Sequence, residues 1–125
     1  MKDLKLEATD KTPYVNFDAK TGDLEIRGRI IPENSEAFYR PLLEWLHDYS
    51  KQAAPETKVR LHIEIFNSSS SYLVTKLFKA IEDIDKLGSK VTIYWYFADE
   101  DMYEIGEDYE GMVKVDFEFI AVDED

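Results

Sequence analysis

No cysteine occurs anywhere in the 125 residues. Disulfides, thiolate metal sites and a cysteine nucleophile are thereby excluded, which fits a reducing compartment. Histidine is nearly as scarce, with His47 and His62 the only two. Neither has a companion at metal-ligand spacing, so no metal is expected and both read as ordinary surface or half-buried side chains. No apolar run approaches the roughly 20 residues that cross a bilayer. The N-terminus also lacks a basic region followed by an apolar one, so the chain is expected in the cytoplasm. Positive charge is short, with 15 Lys and Arg against 27 Asp and Glu and a net charge of −12. Nucleic acid and an anionic membrane are repelled by such a surface, whereas a basic protein patch is not. The alternative is that the charge only confers solubility. What the chain does have is apolar substance: 44% hydrophobic and 14% aromatic residues. That suffices for the core of one domain over residues 1–125.

Periodicity divides the chain into short elements. Leu4 and Leu6 start a weak alternation, Thr12-Pro13 interrupts it, and Tyr14-Val15-Asn16-Phe17 resumes it. Lys20-Thr21-Gly22-Asp23 is a turn, and Leu24 to Gly28 the second arm of a hairpin. Pro32-Glu33-Asn34-Ser35 opens a helix, with Asn34 or Ser35 as cap. Phe38, Leu42, Trp45, Leu46 and Tyr49 form its apolar stripe. Proline costs about 3 kcal/mol inside a helix. The regular helix is therefore expected to start near Tyr39 or Arg40, with Pro41 in the first turn.

Lys58 to Phe66 alternates, with Val59, Leu61, Ile63 and Ile65 pointing one way. Leu73, Val74, Leu77, Phe78, Ile81 and Ile84 then recur at helical spacing up to Gly88. Lys90 to Phe97 reads as a strand; most of its aromatic run, Tyr94 to Phe97, is expected to be core beneath two helix layers, the alternative being exposed aromatics that serve a protein interface. A third helix begins near Ala98 to Asp101 and is lined by Met102, Ile105, Tyr109 and Met112, with Gly111 near its end. Val113 to Val122 is the last strand. The order β-β-β-α-β-α-β-α-β implies an α/β fold, in which a mixed β-sheet with an N-terminal antiparallel hairpin carries about three packed helices.

One junction stands out. Ile65-Phe66-Asn67-Ser68-Ser69-Ser70-Ser71 lies where a strand hands over to a helix, and free backbone N–H groups and the helix dipole favour anions there. The serines have three readings. Asn67 or Ser68 can cap the helix. Ser68 can accept a phosphate. Ser68 can be a nucleophile with His62 as base, although no G-x-S-x-G elbow surrounds it. The carboxylates from Asp99 to Glu110 fail as a calcium loop, because the sixth position needs glycine and holds Glu104.

Several stretches together resemble the SiaC family of regulatory phosphoproteins. They are Pro32-Glu33-Asn34-Ser35, Leu43-Glu44-Trp45-Leu46, Phe66-Asn67-Ser68-Ser69-Ser70, the Trp95-Tyr96 strand with Asp99-Glu100-Asp101-Met102, and Glu104-Ile105-Gly106-Glu107. The resemblance implies a STAS-like fold, similar to anti-anti-sigma factors, with Ser68 as the phosphorylated residue. Asn67, Ser68, Ser69, Ser70 and Ser71 would form the partner-binding corner. It further implies a cognate kinase of the histidine-kinase-like ATPase kind and a metal-dependent phosphatase of the PP2C kind. The unphosphorylated form would stimulate a diguanylate cyclase and so raise cyclic di-GMP and biofilm formation. No catalytic activity, cofactor, nucleic acid or membrane partner is implied. The alternatives are a partner switch that controls transcription, as anti-anti-sigma factors do, and a small serine hydrolase.

Overall fold

The computed structural model of the chain describes residues 1–67 and 71–123. Six strands form one sheet: β1 (Leu4–Leu6), β2 (Tyr14–Phe17), β3 (Asp23–Ile30), β4 (Glu56–Phe66), β5 (Lys90–Phe97) and β6 (Asp116–Ala121). Three helices join them: α1 (Ser35–Ser50), α2 (Ser71–Lys86) and α3 (Glu100–Glu110). The strands lie in the order β1-β2-β3-β4-β5-β6. β1, β2 and β3 pair antiparallel, whereas β3 to β6 pair parallel through the helical crossovers. This is the expected mixed sheet with its N-terminal antiparallel hairpin.

Alternation decides the faces. Val15, Phe17, Leu24, Ile26, Val59, Leu61, Val91, Ile93 and Trp95 are all buried, and their cross-strand partners keep them on one face. All three helices pack there. Trp45 of α1 meets Phe17 at 5.1 Å between ring centroids, and Phe78 of α2 meets Trp95 at 6.3 Å. Trp95 Nε1 donates to the Met102 carbonyl of α3 at 2.9 Å. Gly106 brings α3 onto that indole, since a Cβ there would stand 2.5 Å from the ring.

The expectation of helices on both sides of β5 is therefore corrected. Among the described residues the opposite face carries no helix, although parallel strands are ordinarily covered twice. Cross-strand pairs occupy it instead. The Arg27 guanidinium lies 5.0 Å from the Tyr14 ring centre and that of Arg60 5.9 Å from Tyr94. His62 stacks on Tyr96 at 5.5 Å. Strand alternation alone could not reveal that Tyr94 meets a guanidinium and Tyr96 an imidazole ring from the neighbouring strand.

Pro41 is the second correction. α1 starts at Ser35, capped by the Asn34 side chain, which accepts from Ala37 N at 3.1 Å, so Pro41 lies inside the helix. Pro41 is exposed, while Tyr39, Leu42, Leu46 and Tyr49 are almost wholly buried on the other side. Burying those side chains outweighs the proline penalty. Tyr39 takes the central place assigned to Phe38, which is half-buried. Met112 was expected to line α3. It lies beyond the Gly111 cap and is 44% exposed.

Candidate functional site

β4 and α2 are the elements on either side of the serine run, and both are anchored. Along β4, Val59, Leu61 and Ile63 are buried. The Asn67 N–H donates to the Ile30 carbonyl of β3 at 3.2 Å, carrying the strand pairing to the edge of the run. On the far side, Leu73 and Val74 seat the first turn of α2 in the core. Thr75 Oγ1 donates to the Ser71 carbonyl at 3.1 Å. Ser71, the first residue of α2, is exposed. Ser68, Ser69 and Ser70 lie outside the described residues, and with them the choice of N-cap, the phosphoacceptor and any approach of His62 to a serine hydroxyl.

The alternation expected for β4 fails at its end. Gly28 pairs with Ile63 and Arg29 with Ile65, so Glu64 is one residue too many for β3. Such a bulge turns every later side chain over. Ile65, expected to point the same way as the buried Ile63, is 50% exposed. Phe66 turns inward instead and meets Tyr109 edge-on at 6.5 Å. The residues themselves carried one hint, the glycine at 28, whose φ of +125° departs from ordinary strand backbone.

Charge at this corner differs from that of the molecule. α1 has Glu36 in its first turn, and α3 has Glu100 and Asp101 behind the Asp99 cap. The first turn of α2 has no carboxylate. The partial positive charge of that helix end is thus left without a like-element counter-charge, the setting in which an added anion is best tolerated.

A cleft of about 700 Å³ lies on the helix-free face. Tyr14, Arg27, His62, Glu64, Tyr96 and Asp99 are among its lining residues. Its lining includes no serine, threonine, cysteine or lysine among the described residues. The Asp99 carboxylate is already committed to Met102 N at 2.8 Å. No group of three or more metal-ligating side chains occurs among the described residues.

A family model for the SiaC family regulatory phosphoprotein matches residues 6–122. The chain belongs to the SiaC family of regulatory phosphoproteins. An uncharacterized protein of Pseudomonas aeruginosa (strain UCBPP-PA14) is 24% identical over 126 residues, covering 99% of this chain and 100% of that one. The crystal structure of apo-SiaC from Pseudomonas aeruginosa matches with a TM-score of 0.88 at 22% identity, over 97% of this chain and 100% of that one. A chain in the complex of the diguanylate cyclase SiaD with its activator SiaC, from the same organism, matches at 0.88 and 22%, over 96% and 100%. At these identities the likeness is one of fold, and it is the SiaC fold that the six strands and three helices reproduce. No helix among the described residues is long and apolar enough to cross a membrane.

Proposed function

We propose that this chain, acting as one domain over residues 1–125, is a phosphorylation-controlled interaction switch without catalytic activity of its own. Its unphosphorylated form binds and stimulates a diguanylate cyclase. A cognate ATP-dependent kinase modifies Ser68, and a metal-dependent phosphatase of the PP2C kind restores it. Because the kinase draws on ATP, the exchange takes place in the cytoplasm. The observation that carries the partner is the match to SiaC, which in its complex stands as the activator of a diguanylate cyclase.

The corner supports the switch in two ways. Its flanks are anchored through Asn67, Leu73 and Val74, so the strand end and the helix start on either side of the serines are in place before a partner arrives. The first turn of α2 is free of carboxylates, so a phosphate there meets no like charge from its own helix turn. Phosphorylation then need not unfold anything. It adds roughly −1.5 to −2 charge where a partner must exclude water, and burying that charge unpaired lowers affinity steeply.

The test is to incubate the protein with the kinase and ATP, map the modified residue by mass spectrometry, and titrate both forms against the cyclase. We expect phosphate on Ser68, loss of binding in that form, and Ser68→Ala retaining the effector-binding state. Phosphate on none of Ser68 to Ser71, or equal affinity of the two forms, overturns the proposal.

A further inference from the structure

The bulge at Glu64 does more than interrupt a strand. Ile63 is 4% exposed and Ile65 is 50% exposed, with one residue between them. An uninterrupted strand would have placed both in the core, so the inserted residue is what delivers an isoleucine to solvent. Bulges serve this use, re-aiming a side chain beside a functional site. Across the serine run, Tyr72 in the first turn of α2 is 67% exposed, while its neighbours Leu73 and Val74 are buried. Two large apolar side chains therefore bracket residues 67–71, one from the strand and one from the helix.

The charges beside them are of the minority sign. Arg29 is the cross-strand partner of Ile65 and is exposed. Lys76 is exposed and holds its ammonium 4.9 Å from the Tyr72 ring centre. Neither cation takes part in an ion pair among the described residues. Glu64, the nearest carboxylate in sequence, contributes to the lining of the cleft on the helix-free face. In a chain of net charge −12, each of these exposed apolar side chains has an exposed cation beside it, Arg29 by Ile65 and Lys76 by Tyr72, and Lys76 shares a groove with Glu36 and Glu44 of α1.

We infer that Ile65 and Tyr72 are the apolar anchors by which the unphosphorylated protein holds its effector. The effector surface that fits them is an apolar patch bordered by carboxylates, which meet Arg29 and Lys76. This rests on the switch reading above and adds the chemistry of the docking surface to it. Isolated exposed apolar residues are common, but anchors that fill a partner's pocket carry most of an interface's energy, and tyrosine is prominent among them. The charge sign has its own consequence. A phosphate on Ser68, which lies between the anchors in sequence, adds negative charge that repels the carboxylates of the effector, so the switch works by local reversal of charge.

The experiment titrates the full-length cyclase with unphosphorylated protein carrying Ile65→Ser, Tyr72→Ser or, as a control, Leu87→Ser. Leu87 lies just beyond the other end of α2 and is 65% exposed, so it removes comparable surface far from the corner. Circular dichroism and the urea midpoint confirm that each variant is folded. A second series compares Arg29→Glu with Lys76→Glu against Lys20→Glu, an exposed cation in the β2–β3 turn. We expect each anchor variant to bind about tenfold more weakly or worse, with Leu87→Ser within about threefold of wild type. Reversal of Arg29 and Lys76 should weaken binding, most at low salt, while Lys20→Glu leaves it unchanged. Anchor variants that bind like Leu87→Ser overturn the anchors. Tighter or unchanged binding after reversal of Arg29 and Lys76 overturns the carboxylate-bordered surface. Failure of unmodified wild-type protein to bind the cyclase overturns the switch reading itself, and the inference falls with it.

Discussion

The two ends of β4 are built on opposite terms. At its start, Thr57 is wholly buried and its hydroxyl meets Tyr49 Oη at 2.9 Å and Ser89 Oγ at 2.7 Å. Ser89 Oγ lies 2.7 Å from the Ala54 carbonyl, and Tyr49 Oη accepts from Ala54 N at 3.2 Å. The end of α1, the start of β4 and the start of β5 are thus tied by one buried network in which each of these hydroxyls has partners. At its other end the same strand bulges at Glu64, exposes Ile65 and runs into the serines. A satisfied buried network fixes geometry and tolerates little change. A surface meant to be read by another protein has to leave apolar and charged groups unsatisfied until that protein arrives.

If stability sits at one end and recognition at the other, substitutions should separate along the strand. The largest loss is expected from Gly22→Val, in the turn beside the buried network. Gly22 has a φ of +79°, and a Cβ would stand 2.3 Å from the Glu56 carbonyl oxygen, so backbone must move. Strain and overpacking together should remove about 4 kcal/mol, read from urea unfolding. Ile63→Ala, at the last inward position before the bulge, should cost about 3 kcal/mol by cavity formation. Thr57→Val keeps the shape but strips a hydroxyl from Tyr49 and Ser89, and about 2 kcal/mol should go. For both, cyclase affinity measured on folded protein should stay at the wild-type value. Ile65→Ser, two residues from Ile63, should shift stability by no more than about 0.5 kcal/mol, as exposed positions do. Equal effects at Ile63 and Ile65 would erase the proposed division.

A pH experiment sharpens the same contrast. Glu82 of α2 is buried and accepts from the Lys114 N–H at 2.7 Å, with Lys86 at 3.5 Å. The Lys114 hydrogen bond, against the cost of burial and with help from the lysine charges, holds its pKa below the ordinary 4.5. A carboxylate lowered on folding stabilises fully above that ordinary value, and the contribution is lost as pH falls through the lower folded one. Wild-type urea midpoints should therefore drop on acidification below 4.5 more steeply than those of Glu82→Gln.

Much of this architecture was legible in the residues. The helical spacing from Leu73 to Ile84 and the alternation from Val91 to Trp95 specify burial without outside help, and all of these core positions are buried. Where the reading missed, the deciding physics was not local. Pro41 is carried inside α1 by side chains packed on the sheet, which outweigh intrinsic propensity. Ile65 is turned outward by one residue surplus to β3, a fact of pairing that β4 alone does not hold. Tyr94 and Tyr96 look like core until Arg60 and His62 are seen beside them. The serine run was legible as a junction, and its flanking helix start and strand end are where they were expected, but the role of Ser68 rests on chemistry that only a kinase assay reaches.

The sheet order described above also bears on how the protein is made. Every strand lies beside its immediate predecessor in the chain. No strand has to be threaded between two that are already paired, as happens when a sheet is assembled from the middle outwards. On a ribosome, β1, β2 and β3 can pair as they emerge, and each later strand, with the helix before it, adds to a growing edge. The core grows outward from the hairpin, and β5 is where Trp95 and, after it, its α3 cover are laid down. An arrested chain ending before β5 should thus hold a protected hairpin and α1 while still lacking the last third of its core, a state that hydrogen exchange on stalled ribosomes can detect.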